Sequence, residues 1–401
     1  MSTSTFDTQA SASLPLPCGP ILGWSSFKMV TAQPLPSIEN LPYIAFTTSG
    51  RAAIYQALLQ LQLPPGSSVL VPSYHCPTMV APVLLAHLSV AYFGLRPDGL
   101  PNLDTIDAAT ANRCKAMLVA HYFGLPKSLA EVRKWCDDHA IALIEDCAHC
   151  YFGTAGERPI GAWGDFSTAS ISKFFPVPEG GILASAHRPI RPLELCTPSL
   201  KAQFKAWIDV VEMATYYQRL TGLNRALSLL FKLKNSFLRS PAPVENLPES
   251  VAPSMMHSSN MGRIAQAPLR AALLLKTILP RNRIIRQRQK NFLLYALYFE
   301  NSPGAKPLFP LADIPISHLA PYVFPLWVDD AERIYHALRA LKIPVFRWDK
   351  IWPGTPQLDG DVGPLWSQHV LQLLCHQDLS QTDIQRITHA LLNLLPPLTT
   401  P

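Results

Sequence analysis

The stretch 116–146, AMLVAHYFGLPKSLAEVRKWCDDHAIALIED, decides the fold. AMLVA (116–120) and IALIE (141–145) are short apolar runs closed by polar residues, and between them Leu129–His139 has the period of an amphipathic helix. Two strands apolar along their whole length, joined by a helix, predict parallel strands covered on both faces. Working outward, Ser68–Pro72 (SVLVP) and Val90–Phe93 read as further buried strands and Gly50–Leu61 as a further helix. Residues from about 41 to 190 therefore predict an α/β unit with a mostly parallel sheet, in which ligands gather at the carboxyl ends of the strands. From 320 onward a second pattern predicts a strand at Tyr322–Val328, a helix at Asp330–Leu341, a strand at Val370–Leu374 and a helix at Gln381–Leu394. Between them, Gln203–Leu238 has helical period with a break near Thr221-Gly222. Pro241–Pro253 is a Pro-rich connector, and Arg263–Phe299 reads as helix broken near Pro280. The expected organisation is a loosely attached N-terminal arm (1–40), a large domain (41–255) with a helical basic insertion at about 190–255, and interdomain helices with a small C-terminal α+β domain (256–401). No internal repeat is visible.

The chain has 401 residues, 48% hydrophobic and 15% charged, which excludes wholesale disorder. No apolar run reaches the ~18 residues of a membrane span. The N-terminus, MSTSTFDTQASASLPLP, lacks a basic segment and carries Asp7, unlike a secretory signal. Eight dispersed cysteines fit free thiols in a reducing, cytoplasmic setting. Cys147-Ala-His-Cys150 is a CxxC pair without a second ligand pair at comparable spacing, so no metal site is expected. The net charge is +6, but residues 186–300 hold 17 Lys+Arg against 6 Asp+Glu. Such a segment suits anionic partners or a solvated helix face; no nucleic-acid recognition motif accompanies it, and none is expected to bind.

Three features carry chemistry. Asp146 closes the buried strand IALIE, where a carboxylate needs a partner or a cap to fill. Lys173 lies in GDFSTASISKFFPVPEGGIL (164–183), flanked by Ile171 and Phe174-Phe175; a lysine desolvated there loses its charge readily, as imine formation requires. The Gly180-Gly181 pair beyond it permits tight backbone conformations. Thr47-Thr48-Ser49-Gly50-Arg51 opens a helix, where unpaired N–H groups form an anion site; Ser49 as a simple N-cap is the plainer reading. Together they ask for a ligand with a phosphate, an aldehyde and a basic ring nitrogen, a description that pyridoxal 5′-phosphate (PLP) fits.

The order SGRAAI, VPSYHCPT, AMLVAHYFG, ALIEDCAHCYFG and GDFSTASISKFFPVPEGGIL resembles the DegT/DnrJ/EryC1/StrS aminotransferases, of PLP fold type I. The resemblance runs over about 41–190 and continues more faintly through 257–300 and 320–395. It implies a large domain with a mostly parallel, seven-stranded-type sheet flanked by helices, plus a smaller C-terminal α+β domain. It implies Lys173 as the Schiff-base lysine, Asp146 as the partner of the pyridine nitrogen, His149 near the ring, and Gly50 and Arg51 at the phosphate. The serine of the phosphate site matches Ser170, with Ser172 and Thr168 as competitors. The ring-stacking aromatic falls on Cys76, so Tyr74 is offered for that role. Asn260, in Ser259-Asn260-Met261-Gly262-Arg263, matches the loop that reaches a partner subunit's phosphate.

The activity implied is transfer of an amino group from Glu or Gln to a keto group of a nucleotide-linked sugar or a related carbohydrate, by a homodimer. The alternatives are other PLP chemistry, a membrane-associated acceptor and a non-catalytic regulatory homologue. Lys173 itself argues against the dehydratase variant, in which histidine replaces the lysine. For the basic segment, Trp207, Ile208, Val211 and Met213, then Leu227, Leu230, Phe231, Leu233, Phe237 and Leu238, interleave with Arg225, Lys232, Lys234 and Arg239. That pattern suits an enlarged helical pair packing on a dimer, or peripheral contact with a membrane's inner face through 200–240. His318, Arg347, Trp348 and His376 are candidates for acceptor contacts.

Overall fold

Apolar runs set the central sheet and helical segments cover it. A computed structural model describes residues 15–237 and 251–396, without the side chains of 235–237 and 251–254. The large unit runs β1 (Tyr43–Thr47), α1 (Gly50–Leu61), β2 (Ser68–Pro72), α2 (Pro77–Leu85), β3 (Ser89–Leu95), β4 (Pro101–Asn102) and α3 (Ala108–Arg113). It continues with β5 (Cys114–Ala120), α4 (Ala130–Asp138), β6 (Ala142–Asp146), a ribbon of β7 (Thr154–Ala155) and β8 (Arg158–Pro159), then β9 (Phe166–Ser170) and β10 (Gly181–Ser185). The sheet order is β1-β10-β9-β6-β5-β2-β3-β4. The pairs from β9 to β3 are parallel, and β1, β10 and the two-residue β4 pair antiparallel at the edges. Seven full strands plus that short edge strand make the mostly parallel sheet that the apolar runs predict.

The basic segment forms α5 (Leu200–Tyr216) and α6 (Asn224–Phe237), broken where Gly222 takes φ +88°. Leu238, Arg239 and residues 241–250 lie outside the described residues. The end of the expected connector is helical instead, since Val251 opens α7 (Val251–Ser258). Then follow α8 (Arg270–Ile278) and α9 (Arg281–Phe299), separated at Pro280, whose missing N–H is harmless ahead of a helix. The C-terminal unit holds β11 (Ala305–Pro307), β12 (Val323–Val328), α10 (Ala331–Ala340), β13 (Val345–Phe346), α11 (Gly363–His369), β14 (Val370–Leu374) and α12 (Gln381–Leu392). Its antiparallel sheet has the order β11-β12-β14-β13.

The described part of the first forty residues is not loosely attached. Leu16, Ile21 and Ile38 are buried, the Ile21 amide donates to Asp378 Oδ2 at 3.0 Å, and Pro17 O lies 3.0 Å from His376 Nε2. Apolar side chains spaced among the prolines give this segment a core contact that its composition conceals.

Candidate active site

The carboxyl ends of β5, β6 and β9 and the N-terminus of α1 converge on one cavity of about 170 Å³. Ala120 and Asp146 are paired neighbours at the ends of β5 and β6, and Ser170 ends β9. Three residues on, Lys173 enters the same space. The glycine pair explains how α1 comes so close. A Cβ on Gly181 would lie 2.2 Å from Ser49 O, and Gly180 has φ +132°. Ser49 caps α1 through the Ala52 amide at 3.3 Å, as the plainer reading required. The amides of Gly50 and Arg51, in the first turn, have no intrahelical acceptor and open toward the cavity these residues line.

Asp146 Oδ1 accepts from the Ala148 amide at 2.9 Å and from Thr168 Oγ1 at 3.3 Å. Burial pushes its carboxyl up; the Ala148 N–H, the Lys173 charge and Thr168 oppose that rise. No described donor meets Oδ2. Thr168 therefore serves the aspartate, while Ser170 and Ser172, 3.4 Å apart through their hydroxyls, line the cavity. Burial holds Lys173 below the ordinary lysine range, against the pull of Asp146. Its ammonium lies 5.0 Å from the centre of the Tyr322 ring. His149 stacks on Tyr322 at 4.4 Å and accepts from the Phe123 amide through Nδ1 at 3.2 Å. Burial, then the Lys173 charge, hold it well below the usual imidazole range, so it is neutral.

Seven of the nine site residues read from the sequence line the cavity: Lys173, Asp146, His149, Gly50, Arg51, Ser170 and Cys76. Tyr74 does not. It is fully buried among Tyr122, Trp348 and Trp366, and Gln372 Nε2 lies 3.4 Å from its hydroxyl. Strand β2 ends at Pro72, and the turn before α2 carries Cys76 to the cavity while Tyr74 points into the C-terminal unit. Asn260 does not line the cavity either; its carbonyl and that of Ser259 accept from Arg51 of the same chain. The loop that holds it is fastened by Thr48 Oγ1 to Arg263 O at 3.0 Å and by an Arg263–Glu179 ion pair.

Three contributors escaped the sequence reading, and a fourth was expected in another role. Trp348, a candidate there for acceptor contacts, lines the cavity and lies 5.1 Å from the His149 ring. His121 lines it too, with Nε2 2.9 Å from Glu145 Oε1. Burial drives the Glu145 carboxyl up, but bonds from His121, Gly161 and Trp163 outweigh it and hold the group below the usual range. Arg288 is fully buried: it donates to Lys173 O at 2.5 Å, to Pro321 O at 3.0 Å and to Gln377 Oε1 at 3.0 Å. Gln377 Nε2 in turn donates to Phe174 O at 2.7 Å. The backbone carrying Lys173 is thus clamped by α9 and by the segment after β14.

Of the CxxC pair, Cys147 sits beside Glu145, and His121, Glu145 and Cys147 offer ligand atoms within 4.8 Å of one another. The Glu145 oxygens already accept from His121 and from the Gly161, Trp163 and Gly164 amides, and burial keeps both thiols well above their ordinary pKa. That donor set reads as a hydrogen-bonded knot.

This architecture and cavity define an α/β enzyme-like body closed by a small α+β unit. Residues 40–221 match the model of the DegT/DnrJ/EryC1/StrS aminotransferase family. GDP-perosamine synthase of Vibrio cholerae is 25% identical over 187 residues, 45% of this chain and 50% of that protein. The chain thus spans about half the length of the curated relatives it matches. Among solved structures, S. venezuelae DesV, in complex with a ketimine intermediate, aligns with TM-score 0.60 and 17% identity, covering 88% of this chain and 85% of that one. NtdA from Bacillus subtilis, with bound cofactor PMP, aligns with TM-score 0.57 and 16% identity over 88% and 74%. The fold is that of PLP fold type I.

Proposed function

We propose that this chain is a PLP-dependent aminotransferase that moves an amino group from Glu or Gln to a keto group of a sugar. One observation carries the reading: a desolvated lysine, a buried carboxylate with an open oxygen and a helix N-terminus with two hydroxyls line a single cavity. They match, in kind and order, an aldehyde, a ring nitrogen and a phosphate. The naming of the V. cholerae relative as a perosamine synthase supports a sugar acceptor.

The residues then divide the work. The amides of Gly50 and Arg51, the Arg51 guanidinium and the hydroxyls of Ser170 and Ser172 would hold the phosphate. Asp146 would keep the ring nitrogen protonated. Cys76 and His149 would bound the space for the ring. PLP, when bound, supplies an aldehyde carbon that links amines and a ring that withdraws electrons. Lys173 would hold and return a proton through Nζ, a role that its lowered basicity suits. Trp348 and the clamp on the Lys173 backbone limit water and fix the lysine's reach.

The test is direct. The purified chain loaded with PLP should lose its visible absorption band when Glu or Gln is added, and regain it with a nucleotide-linked keto-sugar. Asp146→Asn should keep the cofactor yet slow turnover by several powers of ten, each tenfold being about 1.4 kcal/mol of barrier. Activity within a fewfold of wild type would remove Asp146 from the reaction. We further propose a homodimer in a reducing, cytoplasmic setting, with Asn260 directed to the neighbour's site; an active monomer at high dilution would refute that sharing.

A second reading concerns α5 and α6. Leu223, Leu229 and Leu230 are exposed beside the exposed Arg225 and Lys232, a face suited to peripheral contact with anionic lipid. None of the described helices is long and apolar enough to cross a membrane. Co-sedimentation with anionic but not neutral vesicles, reversed by salt, is expected; equal recovery in all supernatants would leave the pair a structural one.

A further inference from the structure

A second, larger groove of about 860 Å³ adjoins the cavity, and Ser172, next to Lys173, lines both. Three rigid walls build it. Val210, Met213 and Tyr216 of α5, with Tyr217 just beyond it, form one. The second is Cys18–Leu22, fixed through the Ile21 amide to Asp378 and through the packing of Ile21 and Leu22 with Ala214 and Leu220. The third is Pro176-Val177-Pro178, two residues of which are locked in φ by their rings. The surface so formed is mainly apolar and aromatic. Its only described charged residues are Asp209 and Glu212, both already paired, with Lys205 and Lys234.

From this we infer that the groove binds an uncharged, apolar group carried by the keto acceptor, an aliphatic or aromatic substituent that anchors the molecule while its ketone reaches Lys173. The inference rests on the aminotransferase reading above. A nucleoside diphosphate does not suit the groove: among the described lining residues no Lys or Arg meets its phosphates, and the neighbouring Lys205 and Lys234 are already paired with Asp209 and Glu212. The volume lies within the usual range for small-molecule sites, about 300–1,000 Å³. Met213 and Tyr216 are half exposed, so an apolar ligand would cover surface that otherwise contacts water.

Calorimetric titration of the PLP-loaded full chain with methyl β-D-glucoside, hexyl β-D-glucoside and UDP-glucose tests this. Hexyl glucoside should bind at least tenfold more tightly than methyl glucoside. Met213→Glu, which places a charge in the groove, should weaken hexyl glucoside at least fivefold and leave methyl glucoside and UDP-glucose unchanged. Hexyl and methyl glucosides within twofold of each other, an unchanged hexyl affinity in Met213→Glu, or a loss of UDP-glucose binding matching that of hexyl glucoside would each overturn the assignment. So would hexyl binding that disappears as the protein dimerises, because a second copy would then fill the groove. The donor half-reaction is followed in the same samples. If Glu and Gln leave the absorption band of the wild type unchanged while hexyl glucoside behaves as expected, the aminotransferase reading fails and the apolar site stands. If the half-reaction proceeds equally in wild type and Met213→Glu but hexyl glucoside shows no preference, the groove inference alone fails.

Discussion

In α9 the arginines reach into the rest of the chain: Arg281 pairs with Glu39, Arg283 with Asp378, Arg286 donates to Thr31 O, and Arg288 is fully buried under the lysine loop. In α6, Arg225 and Lys232 stand in solvent. The two helices have similar basic composition. Their neighbours differ. Among and beyond its arginines α9 carries Ile284, Ile285, Phe292, Tyr295 and Phe299, all buried, so most of the helix is packed and the charges drawn in with it must find acceptors. Along α6 only one face touches α5, and the other keeps its charges hydrated at little cost. Net charge thus says nothing about role until the apolar residues between the charges are counted.

The largest effect expected lies at the residue that α9 holds. Lys173→Ala should abolish turnover and remove the borohydride-reducible link to the cofactor. Peptide mapping that finds the reduced cofactor on another lysine would sink the assignment. Next comes the clamp itself. Arg288→Met leaves the carbonyls of Lys173 and Pro321 without their donor, and should cost about 3 kcal/mol in urea unfolding. It should also lower kcat with KM for the donor little changed, a split that simple destabilisation would not produce. Arg288→Lys should not restore it, since one ammonium cannot reach the acceptors that the planar fork spans.

The segment that α9 grips also predicts a pH dependence. Burial pushes His376 and His75 down to about 4, against an unfolded value of ~6.5. Above pH ~6.5 both states are neutral and full stability is present. As pH falls from ~6.5 toward 4, the unfolded chain takes up protons that the folded chain refuses. Each histidine then removes up to ~3 kcal/mol by pH 4. His149 is held down as well; the urea midpoint should therefore fall between pH 7 and pH 5, and His376→Gln should flatten that slope by roughly a third. A midpoint with the same slope in the variant would assign the acid sensitivity elsewhere. The smallest effect is expected on α6: Arg225→Gln with Lys232→Gln should change stability by less than about 0.5 kcal/mol and leave turnover untouched. A larger loss would mean that these charges are as engaged as those of α9.

Much of the site was legible because its parts are local. SVLVP, GRAAIYQALLQL and VLQLL return as β2, α1 and β14 at their expected bounds, since each is a single apolar or periodic run between clear stops. Lys173 and Asp146 were found from their apolar settings and from the family pattern around them. What escaped was long-range. Nothing near Arg288 in sequence distinguishes it from its exposed neighbours, and its acceptors lie 33 to 115 positions away. Tyr74 was misplaced because spacing from Pro72 cannot tell which way a turn sends its side chains. Trp348 reaches the cavity only when the C-terminal unit docks. The packed Leu16 and Ile21 were hidden by the Pro/Ser-rich composition around them.

The clamp on the lysine loop also has a consequence for biosynthesis. The bond from Gln377 to Phe174 O closes a span of 203 positions. A ribosome adding about 5–20 residues per second reaches Gln377 roughly 10–40 s after Phe174. For most of that interval, once β10 has been made, the nascent chain carries every strand of its central sheet and an unseated lysine, and the clamp cannot close until β14, the last of the described strands, has been made.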